Sequence, residues 1–433
     1  MSSYYVDSGS LFLFSNNVLS RLFFDFFRRY NIIKYTKHEW IKYREEVGEL
    51  MKETIVRGLK TRIYPTENQC ILIDKTMGCV RLIWNYSLME KNELYEMFKD
   101  YPELLQSHSY KTPAKWKINF PFLKEVDSQA LATTYQELRQ AFKNFFKGTH
   151  DIPRFKSKRN MRSSFTSHTT NNNIRVENNF VRLPKLGLVK MKKKRQSIPE
   201  NAEIKAATVS KRATGKYYVS LRIQYTRDIE VLCTDTTKSI GLDFSMNGFY
   251  IDQKGKKANY PMYLKLSSLT LSKEQRKLSK KVRGSNSYQR QRLKVATIHE
   301  KVRNQRLDFH HKLSKELVMT YDLITVEKLS LQDMQENKLF SKKISDMGYH
   351  QFLRFLAYKA HDHGKVFHQV DKYFPSSKKC SNCGCIKKEL PLSQRTYTCE
   401  CGNTINRDVN AAYNLCIEGV KSFFQEDRTA SIA

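Results

Sequence analysis

SIGLDF, residues 239–244, and LITVE, residues 323–327, are short apolar runs that each finish in or beside a carboxylate, and their setting decides how this chain is read. Apolar runs of this length, bounded by polar residues, suit buried strands better than helices. NGFYID, residues 247–252, offers another strand. Between the two runs lies a long basic helix, roughly Ser287 to Thr320, in which Val295, Ile298, Val302, Phe309 and Leu313 recur at helical spacing. Strand, long helix, strand is the pattern of an α/β domain. Asp243 closes the first strand and Glu327 the second, while Asp408, in NRDVNAAYN (406–414), stands at the start of a helix. The three are 84 and 81 residues apart, so only folding can bring them together.

Carboxylates that do meet repel one another unless a cation lies between them, and their hard oxygen atoms suit Mg²⁺ or Mn²⁺. A pair of such ions about 4 Å apart activates a water and stabilises the leaving oxygen of a phosphodiester. Taken singly, each carboxylate could equally be a helix cap or a surface ion pair. The cysteines are more specific. Cys380-x2-Cys383 is followed, after fifteen residues, by Cys399-x-Cys401 and Gly402. Four thiolates so spaced suit one tetrahedral Zn²⁺ in a closed, structural site. Cys385 is a nearby competitor, and the second pair is one residue tighter than usual.

Charge points to the partner. The 433 residues carry 76 Lys and Arg against 43 Asp and Glu, a formal net charge of +33, so a polyanion is expected. The basic residues are interleaved with aromatics and no membrane span accompanies them, which favours nucleic acid over a membrane surface. The apolar stretch Leu11 to Phe27 is broken by Arg21 and Asp25 and is read as neither leader nor span. Six of the nine cysteines fall between Cys380 and Cys416, unlike a secreted disulfide framework, so a reducing compartment is expected. The length implies several domains.

Residues 1–56 form an extension of unassigned role. RGLKTRIYPTENQ (57–69) reads as a strand closed by a turn at Pro65, with a helix to follow, and residues 68–150 carry helical spacing up to Gly148. Two strand regions are expected across 151–235, Tyr217 to Tyr225 alternating most clearly. PRFKSKR (153–159) packs four cations around an aromatic, a composition that can track a phosphate backbone or simply stay solvated. Arg154, Phe155, Lys156, Lys158 and Arg159 are its candidate nucleic-acid contacts, joined by Tyr64 and Arg407 elsewhere. The charges of the long helix, Arg292, Lys294, Arg303 and Arg306, are candidate phosphate contacts or a solvated face. His310 and His311 read as one core-facing and one exposed residue; Cys70, Cys79 and Cys233 read as small hydrophobes.

In order and spacing, RGLKTRIYPTENQ, GCVRLIWN, PRFKSK, IGLDFS, LKVATIHEKVRNQRLDFHHKLS, ITVEKLS, YFPSSKKCSNCG and CGNTINRDVNAAYN resemble the transposon-encoded TnpB family, RNA-guided nucleases related to the type V CRISPR effectors. The resemblance runs from about Arg57 to Glu418. It implies an α/β multidomain fold: a wedge β-barrel (57–67 and 151–235) with a helical recognition insertion (68–150), then an RNase H-like RuvC domain (236–375 and 403–420), a zinc ribbon (376–402) and a tail (421–433). It also implies RNA-guided cleavage of DNA, with Asp243, Glu327 and Asp408 as catalytic Mg²⁺ or Mn²⁺ ligands for two ions, and Cys380, Cys383, Cys399 and Cys401 as ligands of one Zn²⁺. The implied partners are a guide RNA, from a transposon end or a CRISPR array, and double-stranded target DNA read beside a short motif. The protein is expected to be monomeric on its guide, in the cytoplasm of a prokaryote. Two departures stand out: Asn406-Arg407-Asp408 where relatives often carry Asp-Arg-Asp, and Gly348-Tyr349 in place of Gly-Trp. A nuclease-inactive guided repressor and a guide-free transposase accessory protein are the competing readings.

Overall fold

The computed structural model describes residues 50–158, 163–192, 198–230, 236–330, 336, 338–391 and 393–430. They fall into two compact units, one of residues 52–228 with 292–297, the other of residues 229–291 and 298 onward together with 50 and 51.

The first unit opens with β1 (Leu50–Tyr64) and α1 (Glu67–Phe98). Thr66 caps this helix reciprocally: its hydroxyl accepts from Gln69 N–H at 3.4 Å and the Gln69 amide oxygen accepts from Thr66 N–H at 3.0 Å. Then come α2 (Pro102–Ser107), α3 (Pro113–Asn119) and α4 (Ser128–Phe146), the last capped by Asp127. Gly148, with φ of 69°, ends it by donating to Phe145 O at 2.8 Å, as its position in the sequence predicts. Six strands follow: β2 (Ser163–His168), β3 (Arg175–Glu177), β4 (Phe180–Leu183), β5 (Gly187–Met191), β6 (Glu203–Lys211) and β7 (Tyr217–Glu230). In β7 the alternation is plain: Val219, Leu221, Ile223 and Tyr225 are all buried. The sheet order is β2-β6-β7-β1-β5-β4-β3. It has two ends, and the described pairings do not close it, so a seven-stranded sheet is seen and the expected barrel is not shown. The strand also begins at Leu50, seven residues before the expected boundary at Arg57.

The second unit contains β8 (Ser239–Ser245), β9 (Phe249–Asp252), α5 (Tyr263–Ser279), α6 (Asn286–Thr320), β10 (Leu323–Glu327), α7 (Lys338–Met347), α8 (Tyr349–Asp362), β11 (Val366–Val370), the hairpin β12 (Thr396–Thr398) and β13 (Thr404–Asn406), and α9 (Arg407–Ala430). Its main sheet has the order β11-β10-β8-β9, with β11, β10 and β8 parallel and β9 antiparallel. Ile240, Leu242, Ile324 and Val326 point into one core with Leu317, Tyr349, Phe352 and Leu356. The alternate residues of the same strands face α9, and there the fit leaves no room. A Cβ on Gly241 would fall 2.6 Å from Cys416 N and closer still to Ala412 O, and one on Gly419 would fall 2.9 Å from Thr325 Cβ. Ala412, Cys416 and Gly419 thus lay α9 directly on β8 and β10. The helix continues through Ala430, so residues 421–430 of the expected tail are helical. Tyr349 is buried against Phe244 and Phe249, making that departure one of packing.

His310 is fully buried and His311 exposed, as their adjacency on α6 predicts. Burial chiefly, with Arg306 and His311 adding to it and the Met347 carbonyl at 2.9 Å opposing, draws the His310 pKa down to about 4. The folded protein therefore binds this proton less readily than the unfolded chain. Stability from this group is complete above about pH 6.5 and falls by about 1.4 kcal/mol per pH unit towards pH 4, roughly 3 kcal/mol in all. Denaturant titration across that range is expected to show the loss, and His310→Gln to flatten it while lowering stability at pH 7.

Candidate functional site

Asp243 and Glu327 are brought together by register. Thr325 pairs with Gly241 and Val326 with Leu242, so the next step of the parallel ladder sets Glu327 beside Asp243, both at the carboxyl ends of their strands. Gly241 and Asp243 share one face of β8, the face against α9. On that helix Asp408, Ala412 and Cys416 are four residues apart and share one stripe. Two strand residues advance about 6.7 Å and four helical residues about 6 Å, so the step from Gly241 to Asp243 matches the step from Ala412 back to Asp408. Asn406 starts the helix, its side-chain oxygen accepting from the N–H groups of Asp408 at 3.0 Å and Val409 at 3.3 Å.

The electrostatics agree with this placement. Burial first, then the charges of Asp408 and Glu327, push the Asp243 carboxyl well above its usual range, with the Arg407 guanidinium opposing. Burial also raises Glu327. Among the described residues only the four cysteines bring three or more candidate ligand atoms within 4.8 Å of one another, so the carboxylates stand wider than that. The donor set of three carboxylates, two of them with pKa raised chiefly by burial, fits a hard divalent cation.

The cysteine cluster is tighter. Sγ atoms of Cys380 and Cys401 are 3.8 Å apart and those of Cys383 and Cys399 3.5 Å. Tetrahedral Zn²⁺ with Zn–S of about 2.3 Å sets sulfurs roughly 3.8 Å apart, so the four fit the ion. Each pair sits on a turn: Gly384 N–H reaches Cys380 O at 2.9 Å and Gly402 N–H reaches Cys399 O at 3.0 Å, both glycines at positive φ. Although burial opposes it, N–H groups of Cys383 and Asn382 and the Asn403 amide bring the Cys380 thiol down to about 6. Cys383 is pulled down by the Cys385 N–H, but burial and the neighbouring thiols outweigh it and leave it raised. Four thiolates cannot coexist at this distance without a cation, and Cys385 is exposed outside the group. Cys383→Ser is expected to abolish stoichiometric zinc by atomic absorption and to lower the thermal midpoint together.

The ribbon is fastened to α9 by residues that sequence reasoning overlooks. Asn410 donates to Lys379 O at 2.7 Å and accepts from Ser381 N–H at 2.9 Å, while Asn414 donates to Ser376 O and Lys379 O, each at 2.7 Å. Both asparagines are buried. Their i, i+4 spacing was the available signal. Of the expected nucleic-acid contacts, Tyr64 is exposed beneath the Arg62 guanidinium, and Arg407 donates to Pro391 O at 3.0 Å. Arg154, Phe155 and Lys158 are exposed and Lys156 is half-buried with its Nζ over the Trp84 ring, whereas Arg159 lies outside the described residues. Arg306 does not serve as a free phosphate contact, since it donates to Ser345 O at 2.9 Å and Asp346 O at 3.2 Å. Arg292 and Lys294 are exposed. No helix of the described residues is long and apolar enough to cross a membrane.

The fold is similar to that of Cas12f1: the chain in the cryo-EM structure of the Cas12f1–sgRNA–target DNA complex superposes with a TM-score of 0.53 at 12% identity, covering 84% of this chain and 99% of that one. Family descriptions match in three places, "OrfB_IS605: Probable transposase" over residues 222–338, the Cas12f1-like TNB domain over 349–415, and the OrfB_IS605 helix-turn-helix domain over 51–100. A Streptomyces pristinaespiralis protein named "Putative RNA-guided DNA endonuclease" is 32% identical over 370 residues, 86% of this chain and 91% of its own. InsQ of Escherichia coli K12, named likewise, is 28% identical over 380 residues, 84% of this chain and 92% of its own. The chain belongs to the TnpB/OrfB_IS605 family.

Proposed function

We propose that this protein is an RNA-guided DNA endonuclease that hydrolyses target DNA at Asp243, Glu327 and Asp408. The observation that carries the reading is the docking of α9 on Gly241, which sets Asp408 over the strand ends bearing Asp243 and Glu327. When bound, Mg²⁺ or Mn²⁺ supplies a positive centre that stabilises charge developing on a phosphodiester and makes a water more acidic. The three carboxylates would hold and orient two such ions, and Arg407, whose charge already reaches Asp243, balances the local negative charge. The four-cysteine ribbon, as a Zn²⁺ site, fixes the segment that leads into α9, and so positions Asp408. Guide RNA and double-stranded DNA are the proposed partners; the names of the relatives and the net charge of +33 support them. Within this reading the domains are a wedge and helical lobe in the first unit and a RuvC-like nuclease with its ribbon in the second.

The test is to purify the protein from cells carrying its own locus, sequence the bound RNA, and add a DNA duplex matching that RNA together with Mg²⁺. Cleavage programmed by the RNA sequence is expected. Bound RNA without cutting would replace the nuclease by a guided repressor, and absence of RNA would overturn the guided reading.

A further inference from the structure

The loop PRFKSKR has no role in the nuclease chemistry, yet its described part is held firmly by α1. Trp84 Nε1 donates to Arg154 O at 3.0 Å. Asn85 grips the next turn of chain with both ends of its amide, Nδ2 donating to Lys156 O at 2.9 Å and Oδ1 accepting from Lys156 N–H at 2.8 Å. The Lys156 side chain turns the same way: its Nζ lies 3.3 Å from the centre of the Trp84 ring, and Trp84 packs with Leu88 and Leu138 between α1 and α4. Burial lowers the Lys156 pKa against the opposing pull of Glu137, as a cation drawn off the surface requires.

Its neighbours do the opposite. Phe155 is 57% exposed, the Arg154 side chain 81%, and Lys158 is exposed. Arg154 faces Asp151 at 3.8 Å, an exposed pair worth little. A strapped backbone that leaves a phenyl ring and cations in water is organised for a ligand, because the ordering cost of the loop is met before binding. Unpaired nucleic acid offers the matching chemistry: a base face for the ring and phosphates for the flanking cations.

We infer that residues 153–158 form a pre-ordered strap that engages an unpaired nucleic-acid strand, with Phe155 stacking on a base and Arg154 and Lys158 meeting phosphates, while Lys156, Trp84 and Asn85 are positioning residues that make no contact with it. This rests on the guided-nuclease reading for the presence of such strands. It divides three cations of like composition, Arg154, Lys156 and Lys158, into two readers and an anchor.

The experiment titrates the full-length protein with labelled single-stranded RNA and DNA oligonucleotides over a range of salt. Phe155→Ala is expected to weaken binding about tenfold with unchanged salt slope, and Phe155→Trp to restore it. Arg154→Ala and Lys158→Ala each reduce the salt slope by about one, whereas Lys156→Met leaves the slope unchanged. Asn85→Ala, which removes no ligand-facing group, weakens binding and hastens proteolysis within the loop. Loss confined to RNA identifies the guide as the strand read, and loss confined to DNA identifies the displaced target strand. A Lys156→Met slope change equal to that of Arg154→Ala would overturn the anchor, and unaltered binding by Phe155→Ala and Arg154→Ala together would overturn the strap. A wild-type protein that binds neither oligonucleotide would instead sink the guided-nuclease reading itself.

Discussion

Asp243→Asn is expected to eliminate DNA cleavage, by roughly 10³-fold or more, the scale on which losing one preorganised electrostatic group acts, while guided binding of the duplex persists. The substitution keeps the shape of the side chain and removes the charge at the centre of the carboxylate group. A second effect has the opposite sign. In chelator, Asp243 stands half-buried among the charges of Asp408 and Glu327 with Arg407 as its opposing charge, so ionising it costs stability that the amide does not. Because the folded pKa is raised, that cost grows as pH rises through it, and the variant should melt higher than wild type in EDTA at neutral pH. Adding Mg²⁺ should raise the wild-type midpoint and leave the variant nearly unmoved. Retained cutting would remove Asp243 from the site; a lower midpoint in EDTA would mean that the carboxyl serves mainly to hold the fold.

Gly241→Ala is the second large effect, and it reaches the carboxylates without touching one. The added methyl meets the Ala412 carbonyl and the Cys416 amide, both backbone, so no rotamer change relieves it and α9 must lift from β8. We expect a loss of about 1–3 kcal/mol in denaturant unfolding, the usual range for overpacking. Cleavage should fall by about two orders of magnitude, as a displacement near 1 Å does. Zinc content should stay at one equivalent, since the cysteines do not depend on that contact. A stable variant with full activity would show that α9 does not set the position of Asp408.

The strands bearing Asp243 and Glu327 are legible because both are short apolar runs with a charged residue at the end, and NRDVNAAYN reads as the helix start it is, although not Asn406 as its cap. The paired cysteines are legible because knuckle geometry is local. What the sequence hides depends on partners far along the chain. Gly241 looks like any glycine in a strand until Ala412 arrives above it. The N-terminus of α5, where Met262 in the left-handed region offers no cap, is satisfied by Asp346, which accepts from Leu264 N–H at 3.0 Å and Lys265 N–H at 3.3 Å. No local pattern could reveal a cap supplied from 82 residues away. Nor does composition separate Lys156 from its neighbours, because only the ring of Trp84 distinguishes an anchor from a solvated cation. Of the seven-stranded sheet the sequence reveals only the strand from Arg57 and two strand regions across 151–235, since strands of three or four residues such as β3 and β4 carry too little alternation to read.

The contact between Gly241 and Ala412 closes a loop of 171 residues, and long-range closures form late because their entropy must be met before any reward. In the proposed nuclease, a nascent or partly folded chain would present Asp243 and Glu327 on their strands but would lack the third acid until the ribbon has folded and α9 has settled, so the contact that completes the fold would also complete the site.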